Sequence, residues 1–370
     1  MNIAIRADAS INIGSGHVMR CMTLANVLKK NNNRVIFFCR MNEGNLISFI
    51  EKQGFEVVPM LKGNINSSAN FNTWLGASEE IDAREFIESS LQYDVKNFDI
   101  VICDNYGISE VWEKIVCDIT KLLIVIDDLA NRPHNCDVLL DQNFFKNYKS
   151  RYDALVNEGC CKLLGPDFAL LREEFAENYK HFPDFEHRYK NKIITLFFGG
   201  TDPSNYTECA LIGLLENLDD SYKINVIVGQ SNPNVERLKA YQCSYSQVKI
   251  YIQVSNMAEH IGHSILFVGA IGSTTWERCF CGTPALVASI AKNQEEAALD
   301  LNEISVHYYL GEASNLAAND YGKHALALLS NKKKLMLQHK NAKALVPGSG
   351  TNLFLTALYS FMESQKYVEN

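Results

Sequence analysis

Apolar residues along this chain fall into short runs separated by stretches of helical period, and the alternation runs through the chain twice. In the first half Ile3–Arg6 predicts a strand, and Gly14-Ser15-Gly16-His17 turns from it into a helix running to about Lys30. Arg34–Phe38 predicts the next strand, Leu46–Lys52 a helix and Phe55–Val58 a third strand. Asp99–Cys103 and Leu122–Ile126 are apolar and β-rich, as strands buried on both faces are, and Val138–Leu140 reads as one more. Between Ala176 and Asn191 the pattern stops. That stretch is charged, holds Pro183 and has no clean period, so it reads as an interdomain connection.

The same grammar then restarts. Lys192–Phe198 predicts a strand leading into Gly199-Gly200-Thr201-Asp202 and a helix from about Ser204. Ile224–Val228, Val248–Ile252, Ile265–Val268 and Ala285–Val287 predict further strands, and Gly272-Ser273-Thr274-Thr275 opens another helix. From Asn315 onward the chain reads as helical, with Pro347-Gly348-Ser349-Gly350 interrupting it before a last amphipathic helix. Strands alternating with helices imply βαβ units and parallel sheets with ligand sites at the carboxyl ends of their strands. The expected class is α/β and GT-B-like: two Rossmann-like parallel-sheet domains facing across a cleft. The expected boundaries are 1–178 and 190–370, the second domain carrying the helical tail.

Composition narrows the function classes. A chain of 370 residues exceeds one ordinary core, and 47% apolar with 21% charged residues excludes disorder for its bulk. A net charge of −8 argues against a nucleic-acid partner, which calls for a basic stripe. The 11 cysteines are odd in number and scattered, as expected of a reducing cytoplasm. No apolar run approaches the ~18 residues that cross a bilayer, so a soluble protein with no stable membrane insertion is expected. The N-terminus has no basic region followed by an apolar stretch, and so does not read as a signal peptide.

Candidate chemistry sits at the strand ends. Gly14 and Gly16 allow close backbone approach to an anion, but Met19 stands where a dinucleotide fingerprint needs its third glycine. The next strand ends in Cys39-Arg40 rather than an acid, so no nicotinamide cofactor is expected. His17 lies in the first helical turn, where the positive helix end favours the neutral ring that a general base needs. From spacing alone the plainer reading outweighs that one: Ser15 caps the helix and His17 is an exposed first-turn residue. Asp8 and Tyr106 also follow strands, each with a purely structural alternative. One of Asp127 and Asp128 is expected to cap backbone. His134, Cys136 and Asp137 lack a second ligand pair, so no metal site is expected. In the second half, Gly199-Gly200-Thr201-Asp202 and Gly272-Ser273-Thr274-Thr275 both offer N–H groups and hydroxyls to phosphate. Glu277 suits a ribose diol or a favourable place in the helix dipole, and Asn293-Gln294 suit a sugar or a helix cap.

Taken jointly, these segments resemble the PseG-type UDP-sugar hydrolases of pseudaminic acid biosynthesis. The resemblance rests on Arg6-Ala-Asp8, Gly14-Ser-Gly-His-Val-Met-Arg20, Leu24-Ala25, Asp104-Asn-Tyr-Gly-Ile108, Ile126-Asp-Asp128 and His134-Asn-Cys-Asp137. It continues through Leu170-Leu-Arg-Glu-Glu-Phe175, Gly199-Gly-Thr-Asp202, Gly272-Ser-Thr-Thr-Trp-Glu277 and Ala291-Lys-Asn-Gln294. It implies hydrolysis of UDP-2,4-diacetamido-2,4,6-trideoxy-β-L-altropyranose, with no cofactor or metal, and reverses the weighting of His17. His17 becomes the base or positioner of the attacking water, with Tyr106 and Asp8 as its catalytic partners. Arg6, Gly14, Gly16, Arg20, the two glycine turns, Glu277, Asn293 and Gln294 become substrate contacts. The rival expectations are a GT-B glycosyltransferase using a UDP-amino sugar, a sugar-nucleotide 2-epimerase and a non-catalytic UDP-sugar-binding subunit.

Overall fold

The computed structural model describes residues 1–64, 73–93, 95–348 and 350–368. The chain divides into a first unit, Met1–Asn143 with Asn147–Leu170 and Ser349–Asn370, and a second, Phe144–Lys146 with Leu171–Gly348.

The first unit begins with β1 (Asn2–Ala7), α1 (Gly16–Lys30), β2 (Arg34–Arg40), α2 (Ile47–Lys52) and β3 (Glu56–Met60). It continues with α3 (Glu79–Gln92), β4 (Ile100–Asp104), α4 (Glu110–Val116), β5 (Leu123–Ile126), β6 (Val138–Asp141) and β7 (Cys161–Leu164). The seven strands are parallel in the order β3-β2-β1-β4-β5-β6-β7. One face packs on α1, where Val18, Cys21, Leu24, Ala25 and Leu28 meet Ile3, Ile5 and Phe37. The other packs on α3 and α4, where Phe86 and Trp112 meet Ile36, Phe38 and Val101. Both faces are covered, which is why the strand sequences are apolar without alternation.

The second unit runs α5 (Glu173–Asn178), α6 (Phe185–Asn191), β8 (Ile193–Phe197), α7 (Tyr206–Asn217), β9 (Lys223–Val228), α8 (Val235–Ser244) and β10 (Val248–Ile252). It goes on through α9 (Met257–Gly262), β11 (Leu266–Ala270), α10 (Thr274–Cys281), β12 (Ala285–Ser289), α11 (Glu295–Glu303) and β13 (Tyr308–Glu312). Helices α12 (Ala318–Leu329) and α13 (Lys332–Leu345) close this unit. Its sheet is parallel in the order β10-β9-β8-β11-β12-β13. Helices α7 and α12 touch through glycines: a Cβ on Gly213 would sit 1.7 Å from the Ala318 carbonyl oxygen. No side chain fits there.

Two differences from the sequence reading have clear causes. The stretch read as a connection carries α6, started by Asp184, whose carboxylate accepts the His187 N–H at 2.9 Å. Its helical signal is a cap rather than a period. The final helix, α14 (Gly350–Val368), belongs to the first unit, because Phe354 and Leu358 are buried in that unit's core.

In both sheets the order reverses once, between β1 and β4 and between β8 and β11. Ligands of open parallel sheets bind at such switch points, beyond the carboxyl ends of the strands. The loops after β1 and β4, and after β8 and β11, are therefore where chemistry is sought.

Candidate active site

Pairing of Ala7 with Asp104 brings the end of β1 level with the end of β4. Helix α1 leaves β1 through a turn in which Gly14, at φ 79°, donates its N–H to the Ser10 carbonyl at 2.8 Å. Ser15 occupies the N-cap position but makes no side-chain cap bond, so the capping alternative for this turn fails. His17 and Arg20, one turn apart on α1, share a face and both meet Asp104.

The imidazole Nδ1 of His17 lies 2.5 Å from Asp104 Oδ1. A carboxylate is an acceptor, so Nδ1 carries the proton and donates, leaving the Nε2 lone pair to act as a base. Arg20 grips the same carboxylate from the other side, donating Nε to Oδ2 at 2.6 Å and Nη2 to Oδ1 at 2.7 Å. Its third nitrogen, Nη1, donates to Asp128 Oδ2 at 2.8 Å. Burial alone would raise the Asp104 carboxyl, but the charges of Arg20 and His17 and their hydrogen bonds hold it well below the usual carboxylate range. Asp104 is therefore ionised near neutral pH.

Tyr106 stands edge-on to His17, with ring centroids 4.4 Å apart at 83°, and Trp74 stacks on Tyr106 at 5.7 Å. Burial, then the charge of Asp128, pushes the phenol well above its ordinary value, so it stays a hydroxyl. Beside Tyr106 a cavity of about 490 Å³ opens at the N-terminal ends of α3 and α4, lined in part by Ser78, Ser109, Asn131 and Arg132. Glu79, also on its wall, is occupied by the N–H groups of Ser109 and Trp112 and by the Ser109 hydroxyl.

Three residues expected at the site in this unit serve the scaffold instead. Arg6 is fully buried and spends its guanidinium on Asp82, Asp8 and the Phe38 carbonyl, so it cannot reach a substrate. Asp8 has both oxygens engaged: Oδ1 by Arg6 and the Arg40 N–H, Oδ2 by the Asn105 amide at 3.1 Å. It holds the β4 loop rather than a reacting atom. Arg20 is likewise consumed by Asp104 and Asp128 and positions rather than binds. Sequence reasoning missed Asp104 and Asp128 as site residues; the one available signal was their place at or just beyond the end of a buried strand.

Of the adjacent acids, Asp127 takes the backbone role, accepting the N–H groups of Leu129 and Ala130. It also meets Arg132 at 2.7 Å and the Tyr152 hydroxyl at 2.9 Å. Buried His134 lies beside it, Nδ1 2.7 Å from Glu113 and Nε2 3.8 Å from Asp127. Burial opposes its charge, but Asp127 and Glu113 prevail and raise it to about 9 from an ordinary 6.5. A raised histidine stabilises the fold fully below its unfolded pKa and loses that contribution as pH rises through the folded one. Wild-type stability should therefore fall by up to ~3 kcal/mol between about pH 6.5 and 9, at ~1.4 kcal/mol per pKa unit. His134→Gln should flatten this slope in urea melts across that range; equal slopes would rule out a charged His134.

In the second unit, the loop after β8 carries Gly199 at φ 101° and Gly200, whose carbonyl accepts the Gly229 N–H at 2.9 Å. Asp202, expected to touch substrate, instead caps α7, its two oxygens accepting the N–H groups of Tyr206 and Thr207 at 3.0 and 2.8 Å. Thr201 is half-buried in the same turn. After β11, Gly272 and Ser273 are exposed at the start of α10, Thr274 opens the helix, and Ser273 makes no side-chain cap bond. A Cβ on Gly272, or on Gly16 in the first unit, would meet nothing within 4 Å, and neither residue has positive φ. Neither packing among the described residues nor strain explains glycine there; a molecule approaching the backbone would.

The Thr275 hydroxyl and Asn293 Oδ1 are buried and lack partners among the described residues. Gln294 spends its Oε1 on the Ile290 N–H at 2.9 Å. Glu277 is held by Arg172 in a fork of 2.6 and 3.0 Å, and Arg172 also meets Glu174 at 2.8 Å. Arg172 is a residue that spacing did not single out. The two units thus present different chemistry: a histidine–aspartate pair with a tyrosine in the first, and glycine turns with uncommitted polar groups in the second.

No family model matches the chain. It is 31% identical over 295 residues to an uncharacterized protein of Methanocaldococcus jannaschii, covering 78% of this chain but 55% of that one, so the chain spans about half that relative's length. It is 28% identical over 298 residues to the UDP-2,4-diacetamido-2,4,6-trideoxy-β-L-altropyranose hydrolase of Campylobacter jejuni, covering 80% of this chain and 95% of the relative. The spore coat polysaccharide biosynthesis protein SpsG of Bacillus subtilis is 21% identical, with 95% of both chains covered. Among solved structures, a UDP-glucosyltransferase from Polygonum tinctorium superposes with a TM-score of 0.67 at 10% identity, covering 98% of each chain. MurG of Acinetobacter baumannii does so at 0.63 and 13% identity, covering 97% of this chain and 99% of that one. The two parallel-sheet units are therefore those of the GT-B fold.

Proposed function

From the PseG-type family, to which the chain belongs, we propose that it is a metal-independent hydrolase. Its proposed substrate is UDP-2,4-diacetamido-2,4,6-trideoxy-β-L-altropyranose, cleaved to UDP and the free sugar for pseudaminic acid synthesis. The observation that carries the reading is the His17–Asp104 pair, oriented by Arg20 at the switch point of the first sheet. Such a pair makes a general base, and a base of this kind contributes about 10²–10⁴ in rate.

His17 Nε2 takes a proton from water as the water oxygen bonds to the anomeric carbon, with inversion. The bond from that carbon to the β-phosphate oxygen breaks, and its electron pair leaves with UDP. Asp104 stabilises the imidazolium that forms. The Tyr106 hydroxyl lies beside the base and orients the water. The cavity flanking Tyr106 receives substituents of the sugar ring; its lining is polar, and its acids would repel a diphosphate.

In the second unit, the N–H groups at Gly199, Gly200, Gly272 and Ser273 take the diphosphate, with the Thr201, Thr274 and Thr275 hydroxyls. Glu277, kept in place by Arg172, takes the ribose diol. Asn293 and Gln294 serve the sugar. Gly14 and Gly16 keep the α1 end open to the substrate. The eleven free cysteines support a reducing, cytoplasmic setting.

The test is hydrolysis in ¹⁸O-labelled water, without an acceptor and with EDTA present. Label in the released sugar and none in UDP is the expected result. Label in UDP would mean attack at phosphorus and would exclude this mechanism. Release that requires an added alcohol would make the protein a transferase.

A further inference from the structure

Asp127 and Asp128 are consecutive just beyond the end of β5, yet their carboxylates meet different partners. Asp127 is turned to the Leu129 and Ala130 N–H groups, to Arg132 and to Tyr152. Asp128 is turned to α1, where its Oδ2 accepts Arg20 Nη1 at 2.8 Å. Its other oxygen, Oδ1, is buried and receives no hydrogen-bond donor among the described residues. A carboxylate oxygen left in that state costs more than one with a donor, so a neighbouring hydroxyl is drawn to it. Tyr106 is the neighbour: its ring meets His17 edge-on, His17 and Arg20 share Asp104, and Arg20 reaches Asp128, whose charge helps push the phenol up.

We propose that Asp128 is a positioning residue, accepting the Tyr106 hydroxyl on Oδ1 so that the phenol oxygen turns a lone pair toward the water beside His17. The inference rests on the hydrolase reading of the same site. Arg20 couples the two halves of the arrangement. One guanidinium binds Asp104, which orients His17, and Asp128, which orients Tyr106, while the two rings meet edge-on at 4.4 Å. The acceptor for one hydrogen of the water and the base for the other are then set by a single arginine. A tyrosine held this way cannot swing to donate to the water, which would compete with His17 for its orientation.

The test combines kinetics with a spectroscopic readout. Asp128→Asn should lower kcat about tenfold or more with KM within about threefold, and in a Tyr106→Phe background it should cost less than about twofold. Additive losses in the two backgrounds would overturn the proposal, because a general structural effect does not depend on the phenol. Asp128→Glu keeps the charge on Arg20 but displaces the oxygens by one methylene. It should lose kcat in the same way, and full activity would overturn the proposal. In protein labelled with ¹³Cζ-tyrosine, the Tyr106 resonance, assigned by its loss in Tyr106→Phe, should move in Asp128→Asn. An unmoved resonance overturns the contact whatever the enzyme does. If the wild type releases no UDP, the hydrolase reading fails by itself, and the resonance alone decides the Asp128–Tyr106 pairing.

Discussion

Replacing His17 with alanine should cut acceptor-free UDP release by about 10²–10⁴-fold, the range a positioned base supplies. Asp104→Asn should approach the same loss. Its amide can donate as well as accept, so it no longer selects the His17 tautomer with a free Nε2; in a serine-protease triad the equivalent change costs about 10⁴. The double variant should be little worse than either single one, because the two side chains act as a unit. KM should change little if the second unit dominates UDP binding. Asp104→Asn also tests the electrostatics. The folded carboxyl lies below its unfolded value, so its stabilisation is present above about pH 4 and lost as pH falls through the folded pKa. The variant should therefore be less stable at neutral pH and show a shallower acid limb. Steady-state kinetics beside urea melts separate the effects. A His17→Ala enzyme within tenfold of wild type would remove the base from this mechanism.

Much of the architecture was legible because buried parallel strands announce themselves. Residues 100–103 of β4 and Leu123–Ile126 are apolar on both faces, and the glycine turns after β1, β8 and β11 mark strand-to-helix junctions. Strand order was not legible, since the reversal at β1 and β4 comes from crossovers that leave no local trace. The site was half readable for the same reason. His17 opens a helix and Tyr106 stands in a turn, but what makes His17 a base is Asp104, 87 positions away. Arg6, Arg20 and Asp8 are polar residues near strand ends, which made them look like ligand contacts. Their partners, at separations of 76, 84 and 97 positions, show them to be internal struts. Helix α3 went unread although Ser78 caps it, accepting the Ile81 N–H, because its buried face includes Asp82, an acid in a stripe that should be apolar.

That acid carries the largest expected effect on stability. Asp82 is fully buried and accepts five N–H donors: Nε and Nη2 of Arg6, Nε and Nη2 of Arg40, and Nε1 of Trp112, all between 2.6 and 3.0 Å. It joins β1, β2, α3 and α4. Burial would raise its carboxyl, but the Arg6 and Arg40 charges and hydrogen bonds overcome this and leave it below the usual range. Asp82→Ala would leave the buried Arg6 with Asp8 and the buried Arg40 with the more exposed Glu85. Removing one partner from such a cluster costs about 3–5 kcal/mol, a large part of the 5–15 kcal/mol that holds a typical protein together. For a unit of this size the melting transition should fall by roughly 10 °C or more. Asp82→Asn keeps one acceptor oxygen but turns an NH2 donor toward N–H groups that Asp82 accepts, and should fall between the two. The sign with pH follows from the lowered carboxyl: the stabilisation exists above about pH 4 and fades below it, so wild type and Asp82→Ala should converge on acidification. Turnover should drop as well. Arg6 and Arg40 also hold Asp8, and Asp8 holds Asn105 next to Tyr106, so loosening the cluster loosens the loop that flanks the base. An Asp82→Ala protein melting within a degree of wild type would mean that the arginines find equivalent partners, and that Asp8 and Glu85 suffice to hold the end of this sheet.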